Sequence, residues 1–495
     1  MKNNLLCKWI KYVFICVLLA SLCTKPSYAN SFNHKPTGDD VNLDSLELVP
    51  GNRDLRVHLT EIDGLEKWSI SKNLTTNEVE SEVTINWNDQ HQQIDGFGAS
   101  CAWTAQNISE TQADLFFSVE EGIGLSLLRN RISPDGTTLE LATMKKAQAR
   151  GAKIWSTPWS PPAEWKTNND VTNGGRLISG YYQDYANLLT KYVQDMKDEG
   201  INLYAISVQN EPDYVAYWES CLWSEDELHA FVPYLYSALT NKGLTSTKIM
   251  IAENSGWDFD ITSSTMNDPD TASMVGLLAA HAYWGAPSPV NTYGKQLWQT
   301  EVSSFDSFDG SMDNALIWAT NIHEFMTKTE ANAWHYWWLI TNTNDNQGLL
   351  DMNGNPAKRM WAIGNFSKFV RPGYYRIGTS TAGNILGNIF VSAYKDPNTG
   401  KVTIVAINDN DVSIEKTFNL IDFNPALLVP WVTSDSFSLE QQPSIEISGN
   451  SFTYTLPALS VVTFVEMFQE FGSKGDAEGA GGMSVLSQQP ADFVW

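Results

Sequence analysis

Residues 203–212 read LYAISVQNEP, and residues 224–241 follow as SEDELHAFVPYLYSALTN. The first stretch contains an apolar run of strand length, Leu203–Val208, and ends in a carboxylate and a proline. The second opens on Ser224 with Glu227 three residues later, the spelling of a capping box ahead of an amphipathic helix. A short apolar strand, a polar strand end and a capped helix together make the repeating unit of a (β/α)8 barrel.

The same unit recurs on both sides. Eight strands are predicted at Ile94–Ala99, Leu125–Arg131, Lys153–Ser156, Leu203–Val208, Lys248–Ala252, Leu277–Ala282, Gln296–Thr300 and Ala333–Trp338. Ser109 with Gln112 gives a second capping box. The expected fold class is therefore α/β, a (β/α)8 TIM barrel over 83–372. After Pro372-Gly373 the pattern changes to β-branched alternation broken by turn residues such as Asp396-Pro-Asn-Thr-Gly400. Residues 373–468 are expected to form a fused C-terminal β-sandwich side domain, to which 83–90 contributes a strand because Val83–Trp87 alternates in the same way. Residues 30–82 read as an N-terminal extension with one strand near Leu55–Leu59, and 469–495 as a flexible tail rich in Gly, Ala and Ser.

The first 29 residues read as a signal peptide. Lys2, Lys8 and Lys11 precede an apolar run from Tyr12 to Leu22, and Ser27-Tyr-Ala29 supplies a cleavage site after Ala29. The expectation is a secreted protein, extracellular or periplasmic, with no membrane association, since no later apolar run approaches the ~20 residues of a spanning helix. Cys7, Cys16 and Cys23 leave with the leader, so Cys101 and Cys221 remain, either paired or as buried thiols. Loss of the leader's lysines deepens the formal charge from −25 to −29. That field excludes nucleic acid as a partner and makes a strongly acidic polymer an awkward substrate. Nineteen Trp suggest a surface that stacks on flat apolar faces, sugar rings among them, although roughly half would be core residues by burial habit.

Active sites of such barrels are built at the C-terminal ends of the strands. The fourth strand runs out into Gln209-Asn-Glu211-Pro212 and the seventh into Trp298-Gln-Thr-Glu301. Retaining cleavage of a glycosidic bond needs two carboxyl groups about 5–5.5 Å apart, one to protonate the leaving oxygen and one to attack the anomeric carbon. Glu211 is the candidate acid/base and Glu301 the candidate nucleophile. Arg129 at the second strand end and Tyr283 after the sixth are the candidate partners of Glu301, and Asn210 is placed for a sugar 2-hydroxyl. A lone strand-end Glu is commonly a surface ion-pair partner, and Arg129 could be salt-bridged at the rim; the coincidence of all these groups at strand ends favours catalysis. His281 and His335 lack the spaced carboxylates of a metal set, so neither metal nor cofactor is expected.

Several segments together resemble glycoside hydrolase family 30, of clan A: Gln93-Ile-Asp-Gly-Phe-Gly-Ala99, Leu125-Ser-Leu-Leu-Arg129-Asn-Arg131, Ser156-Thr-Pro-Trp159-Ser-Pro-Pro162 with Trp165, Gln209-Asn-Glu-Pro212, Trp298-Gln-Thr-Glu301, His335-Tyr-Trp-Trp338 and Asn365-Phe-Ser-Lys-Phe-Val-Arg-Pro-Gly373. The resemblance implies Glu211 as acid/base, Glu301 as nucleophile and Asn210 as the residue before the acid. It implies Arg129, Trp159, His281, Tyr283 and Trp337 around the cleft, and Trp103 and Trp165 complete the expected substrate-binding set. It is greatest to the bacterial xylanase branch, which recognises a glucuronic acid side group through an arginine in the loop after the eighth strand. Here that loop, Leu339-Ile-Thr-Asn-Thr-Asn-Asp-Asn-Gln-Gly-Leu349, holds no Arg or Lys. The expectation is a monomeric endo-β-1,4-xylanase acting on xylan without strict dependence on glucuronic acid. A β-glucosidase, β-1,6-glucanase or fucosidase activity, or a non-catalytic carbohydrate-binding role, are the alternatives.

Overall fold

The computed structural model describes residues 55–62, 65–72, 82–381 and 389–466. The leader, the tail and most of the N-terminal extension lie outside them. The chain divides into two units, Met1–Asn77 and Glu78–Trp495. In the first, β1 (Leu55–Ile62) and β2 (Leu65–Lys72) pair antiparallel from Leu55↔Lys72 to Ile62↔Leu65.

The second unit begins with β3 (Glu82–Gln93) and then builds a closed barrel. Its staves are β4 (Gly96–Ser100), β5 (Leu127–Ile132), β6 (Lys153–Pro158), β7 (Leu203–Ser207), β8 (Lys248–Gly256), β9 (Leu277–Trp284), β10 (Gln296–Gln299) and β11 (Ala333–Ile340). Neighbours pair in parallel in chain order, and β11 closes the ring by pairing with both β10 and β4. Each stave is covered on both faces, by the barrel interior and by helices, which is why these strands read as continuous apolar runs. Leu127, Trp155, Ala205, Met250, Leu277, Ala279, Trp298 and Ala333 pack together inside. Trp155 and Trp298 meet edge-on there at 6.1 Å, Tyr204 stacks on Trp298 at 5.6 Å, and Gly98 makes room for His335, whose ring atom would stand 2.5 Å from a Cβ at that position.

The helices form where capping and periodicity predict. Ser109 caps Glu110–Phe117 and Ser224 caps Glu225–Asn241, each with the reciprocal bond from Gln112 or Glu227 complete. Tyr182–Asp198 buries Tyr182, Tyr185, Ala186, Leu189, Tyr192, Val193 and Met196, the i, i+3, i+4, i+7 stripe of a helix lying on a barrel.

After β12 (Gly348–Leu350), which pairs in parallel beside the end of β11, the chain forms β13 (Tyr375–Thr381), β14 (Ile389–Lys395), β15 (Val402–Asn408), β16 (Ile414–Ile421), β17 (Leu427–Thr433), β18 (Glu440–Gln441), β19 (Ile445–Glu446), β20 (Ser451–Leu456) and β21 (Ser460–Glu466). The strands β13 to β21 and β3 make one ten-stranded sheet, nine along the path β18-β17-β21-β15-β14-β13-β3-β16-β20 and β19 off it on β17. The sheet curls so that its halves face each other: Phe418 of β16 and Phe452 of β20 stack at 4.7 Å, and Phe464 of β21 meets both edge-on. Val83 and Ile85 of β3 enter that core.

The side domain is bolted to the barrel by a buried amide. Asn365 Nδ2 donates to the Trp431 carbonyl and to Thr463 Oγ1, both at 3.0 Å, and Thr463 Oγ1 donates to the Asn365 carbonyl at 2.7 Å. Cys101 and Cys221 are free buried thiols.

Candidate active site

Both candidate carboxylates lie just beyond staves, Glu211 after β7 and Glu301 after β10, and each is buried. Glu211 sits at φ +44°, a left-handed conformation disfavoured for a side chain of this size, and its N–H donates to the Glu253 carbonyl at 2.9 Å. One carboxylate oxygen from each of Glu211 and Glu301 and one ring nitrogen of His281 lie within 4.8 Å of one another.

Glu301 is gripped from two sides. Arg129 Nη1 forms an ion pair with its Oε2, and Tyr283 Oη donates to Oε1 at 2.8 Å. Burial and the facing Glu211 carboxylate push the Glu301 carboxyl above its ordinary value, while His281 and Arg129 pull it back. Two like charges so close resist full ionisation, so the pair favours holding one proton. Arg129 can only donate to Glu301, and Tyr283 donates to it as well, which favours the ionised form of Glu301.

Arg129 is fully buried and carries a positive charge that must be matched. Its Nη2 donates to Glu253 Oε1 and to Asn210 Oδ1, each at 2.5 Å. Trp159 at 4.6 Å, Trp155 at 5.3 Å and Trp337 at 5.4 Å surround the guanidinium. Burial would lower its pKa, and Glu253 and Glu301 more than reverse that. Glu253 is itself fully buried; desolvation would raise its carboxyl, and Arg129 and His281 hold it below the ordinary value.

The two histidines differ. His281 Nδ1 is 3.2 Å from Glu211 Oε1, and its Nε2 is 3.5 Å from Glu253 and 3.7 Å from Glu301. Burial disfavours its charge, but these three carboxylates lift its pKa to about 9. A folded-state value above the ordinary 6.5 gives stability that is complete below 6.5 and lost as pH rises through about 9. The thermal midpoint should therefore fall between about pH 7 and 10 more steeply in the wild type than in His281→Asn; parallel slopes would remove His281 from that role. His335 is a barrel-interior group: it accepts from Trp155 Nε1 at 3.0 Å, donates from Nδ1 to the Gln299 carbonyl at 2.9 Å, and burial drives its pKa to about 3. Glu211, His281 and Glu301 are close enough to enclose a cation, but the Arg129 guanidinium and a protonated His281 would oppose one.

Above this layer opens a cavity of about 490 Å³. Of the expected substrate-binding residues, Trp103, Trp159, Tyr283 and Trp337 line it together with Glu211 and Glu301. Trp159 and Trp337 pack at 6.0 Å, with Trp103 edge-on to both. Arg129, His281 and Asn210 are not in the lining; they support its floor, and Asn210 has already given its Oδ1 to Arg129. Trp165 is not among the lining residues: its ring stacks on Tyr181 at 5.8 Å and packs against the core outside the barrel.

The sequence reading missed Glu253 and much of the rim. Glu253 ends the apolar run Ile249-Met-Ile-Ala252, so the criterion that found Glu211 and Glu301 could have found it. Tyr214, Tyr217 and Trp218 from the loop after β7, Trp284 at the end of β9 and Phe305 from the loop after β10 stand in the cavity walls with Ser255, Trp338, Asn342 and Gln347. Tyr217 is 84% exposed, Phe305 67% and Trp284 63%, unusual for such side chains unless they serve binding.

Comparison with known proteins places the barrel in a family. The glycosyl hydrolase family 30 TIM-barrel domain matches residues 125–345. The glucuronoxylanase XynC of Bacillus subtilis (strain 168) is 34% identical over 402 residues, which cover 78% of this chain and 92% of that protein. The crystal structure of the family 30 subfamily 8 xylanase Xyn30A from Clostridium acetobutylicum superposes with a TM-score of 0.71 at 33% identity, covering 78% of this chain and 99% of that one. A family 30 endoxylanase from Clostridium papyrosolvens C71 gives 0.67 at 33% identity, covering 78% and 100%.

Proposed function

The chain belongs to glycosyl hydrolase family 30, and from that premise we propose that it is a retaining endo-β-1,4-xylanase working by double displacement. The observation that carries the mechanism is the approach of Glu211 and Glu301, with oxygens within 4.8 Å. Oxygens that approach this closely fit direct attack better than inversion, whose carboxyl groups stand about 6.5–9.5 Å apart to admit a water. Glu211 protonates the glycosidic oxygen as Glu301 attacks the anomeric carbon, the bond to the leaving chain breaks, and a glycosyl ester forms on Glu301. Glu211 then takes a proton from water, whose oxygen displaces Glu301 and restores both carboxylates to their starting states.

Xylan as substrate is supported by the relatives' names and by the walls. Flat aromatic faces suit unbranched pyranose rings, and the only charged lining residues are the catalytic carboxylates. In the segment after β11, Arg359 is committed to Asn346 Oδ1 and the Asp309 carbonyl, and Lys358 to carbonyls of Ser434 and Phe437. A uronate would meet no cation in this lining. The reading includes export by the leader of 1–29, since a polymer of this kind is met outside the cell. Plain xylan, arabinoxylan and glucuronoxylan are expected to be cut at comparable rates, with oligomeric products identified by mass. Loss of cleavage on removing glucuronic acid groups would sink the claim of independence, and release of xylose alone would sink endo action.

A further inference from the structure

Glu253 lies beneath the cavity without lining it, yet it reaches both catalytic carboxylates through their partners. Its Oε1 accepts from Arg129 Nη2 at 2.5 Å, and Arg129 spends its other terminal nitrogen on Glu301. The same oxygen is 3.5 Å from His281 Nε2, while His281 Nδ1 faces Glu211 at 3.2 Å. Oε2 accepts from Thr157 Oγ1 at 2.8 Å, which fixes the carboxylate plane. The Glu253 carbonyl accepts the Glu211 N–H at 2.9 Å.

The backbone is bent to make this possible. Ala252 has φ +77° and Glu253 φ +55°, and the pairing of β8 with β9 slips register at that point. Two successive non-glycine residues in the left-handed region persist only where the surroundings enforce them, and such strain gathers at functional sites. A regular strand would turn the carboxylate elsewhere and withdraw the carbonyl from Glu211.

We propose that Glu253 is a positioning residue for the hydrolytic reaction, its carboxylate aiming Arg129 at Glu301 and His281 at Glu211 while its carbonyl anchors the Glu211 backbone. The inference rests on reading Glu211 as acid/base and Glu301 as nucleophile. It gives one buried side chain control over the spacing and the proton placement of the pair. The groups facing it are Arg129 from β5, Thr157 from β6, Ser207 from β7, His281 from β9 and, more distantly, His335 from β11.

Glu253→Gln keeps the side chain's size and removes its charge. On xylan, kcat should fall by about 10²-fold, as misplacement of reacting groups does, with KM little changed because Glu253 is outside the cavity. The alkaline limb of the kcat/KM profile should move to lower pH, since His281 loses one of the carboxylates that retain its proton. Thr157→Val, which frees Oε2, should give a smaller fall in kcat and a shift in the same direction. Wild-type kcat and pH profile in folded Glu253→Gln would overturn the proposal, as would a loss confined to KM. If Glu253→Gln does not fold, Thr157→Val decides by the same readouts. Glu211→Ala and Glu301→Ala run alongside: their retained activity would overturn the catalytic pair itself, whereas inactive controls beside an unaffected Glu253→Gln would remove only the role of Glu253.

Discussion

Glu301→Gln lowers kcat on xylan by on the order of 10⁴-fold or more, the scale on which loss of a covalent nucleophile registers. The substitution preserves volume, and the amide oxygen can still accept from Tyr283 or Arg129, so circular dichroism and the thermal midpoint should stay close to wild type. What disappears is the lone charged group able to form the glycosyl ester, and an amide oxygen is a poor substitute. The ester itself is open to direct test: a 2-deoxy-2-fluoro xylobioside with a good leaving group should add its glycosyl mass to the peptide bearing Glu301. Full activity in Glu301→Gln, or label on another peptide, would refute the assignment.

Arg129→Met has the second large effect, and it falls on stability as well as rate. The guanidinium is the buried counter-ion of both Glu253 and Glu301. Removing one partner of a buried pair leaves uncompensated charge and costs about 3–5 kcal/mol. Chemical denaturation should show that loss at pH 7, and it should shrink in acid as the stranded carboxylates take up protons. Arg129→Lys should recover little activity, since an ammonium is a single point and cannot span Glu301, Glu253 and Asn210 at once. A variant of near wild-type stability would mean that the surrounding tryptophans, rather than the ion pairs, hold this layer.

Much of this was legible because barrel staves are buried on both sides. Each of the eight predicted apolar runs overlaps a stave, and both capping boxes form as spelled. Glu211 and Glu301 were legible because several reactive groups end apolar runs together, a coincidence a lone strand-end Glu does not offer, and both line the cavity. Trp165 is less legible, since a tryptophan in a loop reads the same whether it faces sugar or stacks on Tyr181. Glu253 ends an apolar run as the other two acids do, but its role depends on partners 124 and 28 positions away, Arg129 and His281, which no strand-end pattern reveals.

Which stretches are staves, where helices start and which strand ends carry acid are local properties, set by periodicity, capping and side-chain chemistry over a few residues. How the acids work together, which tryptophans face the cavity and where the shared cation Arg129 lies beneath it follow from closure of the barrel instead. Charge pairing at 2.5–4 Å depends on ring closure bringing β5, β8, β9 and β10 to a common centre, and no local pattern in the chain records that distance.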